Sequence, residues 1–174
     1  MSATIPATAV DIYRMLPEGT RCEVLYNQLI MTPAPNTDHQ FISVKLSALL
    51  YNYLEETQKG VILHAPADVY FEEEQSVLQP DVLVILNENK SIIHNDGIYG
   101  APDIVFEILS GNRIHDTLKK KNLYEKAGVK EYFIIDPADK KVVMFAMSEN
   151  NQYELVYELI GKITSEVLGC SFSL

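Results

Sequence analysis

Cysteine is scarce: 174 residues hold only Cys22 and Cys170. One pair at that separation makes neither a disulfide framework nor a zinc-ligand spacing, so both thiols are expected reduced in a cytoplasmic setting. Basic residues are scarce too. Fourteen Lys and Arg stand against 24 Asp and Glu, a net charge of −10, where nucleic-acid binders usually carry a basic footprint. No stretch approaches the roughly 18 consecutive apolar residues of a membrane span, so no membrane partner is expected. The N-terminus, Met1-Ser2-Ala3-Thr4-Ile5-Pro6, lacks the basic region and apolar core of a signal peptide. Repeats, low-complexity tracts and linkers are absent as well. With 47% hydrophobic content, residues 1–174 are expected to fold as one domain around a real core.

What is present alternates between helical and strand patterns. Thr8 to Leu16 reads as a short helix ended by Pro17-Glu18-Gly19. Thr20 to Leu25 and Gln28 to Thr32 read as strands about a Tyr26-Asn27 turn, where Asn tolerates positive φ. Thr37-Asp38-His39-Gln40 has the capping-box form and opens a helix to about Gln58; its expected inward stripe is Phe41, Val44, Leu49, Leu50, Tyr53 and Leu54. Val61 to Phe71 is strand-like, followed by an acidic turn at Glu72 to Gln75. Val82–Leu86 and Ile104–Leu109 are strands with a polar stretch between them. A helix spans Ile114 to Ala127, capped by Gly128. Tyr132–Ile135, Lys141–Ala146 and Tyr153–Tyr157 complete a mixed α/β pattern.

Glu107 is the anomaly. The run Ile104-Val105-Phe106-Glu107-Ile108-Leu109 is otherwise apolar, as in a strand buried on both faces. A carboxylate there is costly unless paired or holding a metal. Two Asp residues, each after a Pro, compete as its partner. Asp103 is four residues away on the same strand, about 13 Å at the strand rise, too far to share an ion. Asp81 lies on another strand, and neighbouring strands are about 5 Å apart. On the following helix, at about 100° per residue, Lys120 shares the arc of Asp116, Leu123, Tyr124 and Ala127, whereas Lys119 and Lys121 fall outside it. Lys120 is therefore the inward lysine of three; the plainer alternative is an i,i+4 pair with Asp116. Glu23 and His39 are further candidates to complete a metal shell or position water. Residues 111–130 carry six basic residues against Asp116 and Glu125, a local positive segment in an acidic chain.

Several segments resemble a known family. They are Pro80-Asp81-Val82, Ala101-Pro102-Asp103 through Ser110, Asp116-x3-Lys120-x3-Tyr124, and Gly128-Val129-Lys130-Glu131-Tyr132-Phe133-Ile134-Ile135-Asp136-Pro137. Together with Glu23-Val24-Leu25, Pro33-Ala34-Pro35 and His39, they are similar to the Putative restriction endonuclease domain family, within the PD-(D/E)XK nuclease superfamily. The resemblance implies a restriction-endonuclease-like fold, with a central mixed β-sheet flanked by helices. It also implies Mg²⁺ (or Mn²⁺ in its place) on Asp81 and Glu107, with Glu23 as a possible further ligand. The motif's lysine would fall at Leu109, a departure, and Lys120 from the following helix matches the residue that replaces it. Further departures are Tyr26-Asn27-Gln28 at a turn usually built on Asp-Gly, and Gly111 where proline is common.

Two readings follow. One is a metal-dependent endonuclease acting on DNA, with Asp81, Glu107 and Lys120 catalytic and a homodimer as the expected assembly. The other is a catalytically silent nuclease-fold interaction module in a homo-oligomer, which the net charge favours and the intact acid-acid-lysine set opposes. A glycosidase with paired carboxylates leaves Lys120 unexplained.

Overall fold

The computed structural model describes residues 8–17, 19–110 and 114–174, with side chains from Thr117 onward in the last stretch. Gly111, Arg113 and the Asp116 side chain lie outside the described residues. In chain order the elements are α1 (Ala9–Met15), β1 (Cys22–Leu25), β2 (Gln28–Met31), α2 (Thr37–Thr57), β3 (Gly60–His64), β4 (Val69–Phe71), β5 (Ser76–Leu78), β6 (Val82–Leu86), β7 (Ile93–His94), β8 (Gly97–Tyr99), β9 (Ile104–Ile108), α3 (Ile114–Ala127), β10 (Glu131–Ile135), β11 (Lys141–Met147), β12 (Tyr153–Ile160), β13 (Lys162–Ser165) and β14 (Cys170–Ser173). Among the described residues no helix is long and apolar enough to cross a membrane.

The central sheet has the order β12-β11-β10-β9-β6-β3. It is mixed, because β9 and β10 run parallel while the other neighbours are antiparallel. A second six-stranded sheet, β2-β1-β5-β4-β8-β7, lies beyond it, and β13 and β14 form a separate hairpin. The architecture is mixed α/β, as the element pattern implies, but the second sheet is larger than local patterns suggest. Its strands β5, β7 and β8 are two or three residues long, too short to show alternation. The expected strand Val61–Phe71 is in fact two strands in different sheets. Pro66, which has no N–H for a ladder, divides them, and the Ala65 N–H donates instead to the Asp81 carbonyl.

Both faces of the central sheet are covered, which is why its strands read as continuous apolar runs. On one face α2 lays Ile42, Leu46, Leu50 and Leu54 against Val82, Val84, Ile104 and Phe106, each such side chain contributing about 2 kcal/mol on burial. On the other, Leu83, Ile85 and Val105 meet Leu123 and Tyr124 of α3. The α2 stripe corrects the expected one: Phe41 and Val44 are 73% and 67% exposed. Steps of four residues keep one inward face, and Phe41 and Val44 fall opposite it. The helix is also capped one residue earlier than expected, by the Asn36 side chain accepting from the His39 N–H. Elsewhere the helix expected over Thr8 to Leu16, the β1–β2 turn and the end of α3 fall where the sequence puts them. Thr8 and Asp11 form a capping box on α1, Tyr26 and Asn27 take positive φ in the β1–β2 turn, and Gly128 ends α3 at φ +88°.

Candidate active site

The strand register assembles the site. β6 and β9 are antiparallel with Val82 opposite Phe106, so one step outward Asp81 stands across from Glu107. Alternation along β9 turns Ile104, Phe106 and Ile108 toward α2, and Val105 and Glu107 toward α3. Glu107 therefore points at the helix that carries Lys120. The Lys120 ammonium donates to Glu107 Oε1 and Oε2 at 3.1 and 3.3 Å and to Glu23 Oε1 at 2.9 Å. One turn further on, the Tyr124 hydroxyl donates to Glu107 Oε1 at 2.7 Å. Glu23, on β1, also accepts from the Gln79 N–H at 2.9 Å, which ties the second sheet to the segment leading into Asp81.

Asp81 is held from two sides. Its Oδ2 accepts from the Ile108 N–H at 2.7 Å, and its Oδ1 lies 3.0 Å from His39 Nε2. Glu23, His39, Asp81, Glu107 and Lys120 line one cleft of about 1340 Å³. The charges do not balance. Burial pushes the Glu107 carboxyl up to about 7 from its ordinary 4.5, and the negative charges of Asp81 and Glu23 push the same way against Lys120 and the Tyr124 hydroxyl. Burial alone would lower the basicity of Lys120, but Glu107, Glu23 and Asp81 together raise it above the ordinary lysine value. The two shifts express one fact: one ammonium, in contact with Glu23 and Glu107 and within the field of Asp81, answers three carboxylates, and Glu107 carries the deficit.

This arrangement suits a hard divalent cation. Carboxylate oxygens are the donors such ions select, and Mg²⁺ is commonly held by one or two of them plus water and substrate phosphate. Asp81 and Glu107 could supply that pair, and the surplus negative charge would favour an added cation. Lys120 stands against both Glu107 and Glu23 in this arrangement, so either acid would have to share the ammonium with an ion. Among the described residues no three metal-type side chains are grouped closely enough to hold an ion alone.

The other candidates separate cleanly. Asp103 is a structural hub, accepting from the Leu86 N–H, the Asn89 amide and the Lys130 ammonium at 2.7–2.8 Å. Lys119 is exposed as expected, but Lys121 is half-buried, its ammonium 4.8 Å from the Phe145 ring centroid and 5.7 Å from that of Tyr153. Lys126 lies over Tyr26 and Lys130 pairs with Asp103 and Glu88. Four of the segment's lysines thus have partners in the protein, although Lys126 and Lys130 stay open to solvent. Tyr124 was legible only as part of the packed arc, since a hydroxyl's partner is not written in helical spacing. The His39–Asp81 contact left no sequence signal, because it joins the start of α2 to the start of β6.

The Putative restriction endonuclease family model matches residues 9–168. No curated protein matches the chain. Among solved structures, a putative nuclease belonging to DUF820 from Anabaena variabilis is similar over 97% of this chain and 95% of its own, with a TM-score of 0.78 at 19% identity. That likeness shows the fold, and the family match spans both sheets and every residue of the acid–lysine cluster. The chain belongs to the Putative restriction endonuclease family.

Proposed function

We propose that the protein is a Mg²⁺-dependent endonuclease that hydrolyses DNA phosphodiester bonds. One observation carries the reading: a buried lysine is held by carboxylates at the floor of an open cleft, beside a second acid fixed in register with the first. Asp81 and Glu107 would hold the ion, which when bound supplies Lewis-acid polarisation of the phosphate. Glu23 and Glu107 fix the Lys120 ammonium in the water-poor floor of the cleft. There it can stabilise negative charge developing on phosphate oxygens, an interaction stronger in the transition state than in the ground state. Tyr124 restrains Glu107, so the acid keeps one orientation while Lys120 acts.

The silent-module reading has its own support. The chain carries net −10, and Lys120, Lys121 and Lys130 already have acidic or aromatic partners within the protein. Supercoiled plasmid at low salt with Mg²⁺ or Mn²⁺ separates the two. A nuclease nicks it, and Lys120→Met lowers the rate at least a hundredfold, in line with the loss of a preorganised charge stabiliser. Equal nicking by wild type and Lys120→Met identifies a contaminant and leaves the module.

A further inference from the structure

The first inward side chain of α2 is a histidine where the packing calls for an aliphatic. Ile42, Leu46, Leu50 and Leu54 form the buried stripe, and His39, one turn ahead of Ile42, is buried with them at 5% exposure. Its Nε2 lies 3.0 Å from Asp81 Oδ1. Among the described residues its buried Nδ1 has no hydrogen-bond partner. Nearly all buried polar atoms in native proteins are paired, and an orphan asks for a reason beyond packing. Leucine would fill the volume with no orphan, and glutamine could reach Asp81 with its amide.

From this we infer that His39 is a positioning residue that sets the orientation of the Asp81 carboxylate for a divalent cation. The inference deepens the proposed reading and rests on it. The ring Nε2–H donates to Oδ1 while the Ile108 N–H donates to Oδ2 at 2.7 Å, so the carboxylate is gripped at both oxygens and cannot rotate freely. The grip is rigid on the helix side. The His39 backbone N–H is fixed by the Asn36 cap, and the buried stripe behind it pins α2 to the sheet that carries Asp81. Such outer partners of metal-binding carboxylates typically change ion affinity by about 10- to 100-fold when removed. His39 lines the same cleft as Glu107 and Lys120.

The test measures the melting temperature of the full chain, first in chelator and then across a Mn²⁺ titration, for wild type and for His39→Leu, His39→Gln and His39→Asn. Mn²⁺ raises the melting temperature of wild type by mass action, and Asp81→Asn abolishes the rise. His39→Leu weakens the apparent Mn²⁺ affinity about 10- to 100-fold while its ion-free melting temperature is unchanged or higher, because the orphaned atom is gone. His39→Gln, which restores a donor near the Nε2 position, stays within about threefold of wild type, whereas His39→Asn, which reaches only as far as Nδ1, behaves like His39→Leu. The Gln and Asn pair decides the matter should His39→Leu fail to fold. Wild-type Mn²⁺ affinity in His39→Leu or His39→Asn overturns the positioning role while leaving the metal reading of Asp81 and Glu107 standing. No Mn²⁺ response in wild type overturns the metal reading, and the inference with it.

Discussion

Glu107→Gln should make the ion-free protein more stable at neutral pH, and the gain should vanish in acid. In the folded protein the carboxyl is raised from 4.5 to about 7, so ionising it there is harder than in the unfolded chain. A group raised in this way contributes stability that is fully present below pH 4.5 and is lost as pH rises toward and through about 7. At about 1.4 kcal/mol per pH unit the full loss comes to about 3 kcal/mol. Glutamine keeps the shape and never ionises, so it escapes the loss, though it gives up the charge-assisted bonds from Lys120 and Tyr124. Those bonds already act in holding the carboxyl to about 7, so the advantage of Glu107→Gln should grow by about 2–3 kcal/mol between pH 5 and pH 8. Urea denaturation in chelator at pH 5 and pH 8 reads this directly. Parallel pH profiles for the two proteins, or a Glu107→Gln variant less stable at pH 8, would refute the claim that one ammonium answers three carboxylates. Mg²⁺ should restore stability to wild type at pH 8 and do nothing for Glu107→Gln, so the destabilising charge and the functional charge would be the same one.

Three further outcomes follow from the geometry. Lys120→Met should lower stability by about 3–5 kcal/mol at pH 8, the usual cost of removing one partner from a buried ion pair, which denaturant titration measures; the i,i+4 pairing considered from sequence would lose only a few tenths. Asp103→Ala should cost about 3 kcal/mol, since the Leu86 N–H and the Asn89 amide lose their acceptor, yet leave the ion-induced rise in melting temperature intact, separating the hub from the site. Lys121→Ala should cost about 0.5–1 kcal/mol through its lost contacts with Phe145 and Tyr153, and leave the salt dependence of any DNA binding unchanged; a flatter salt dependence would instead make Lys121 a phosphate contact.

Local chemistry was enough to place much of the molecule. A carboxylate in an apolar run marked Glu107, because strand burial leaves a charge without water. Helical periodicity turned Lys120 inward and Lys119 outward, because 3.6 residues per turn fix which side chains share a face. Turn and cap residues fixed α1, the β1–β2 turn and the end of α3 for the same local reasons. Sequence could not say which inward groups would meet. Lys120 finds Glu23 across 97 residues of chain, and His39 finds Asp81 only because α2 lies across the end of β6. The register of α2 was hidden as well, since Phe41 and Val44 on its outer face are as apolar as the buried stripe. So too was the fate of the basic segment, whose lysines reach aromatic rings and acids from distant strands. Periodicity tells a side chain which way to face, but sheet order and helix packing decide what stands there, and those arise from pairings between residues far apart in the chain.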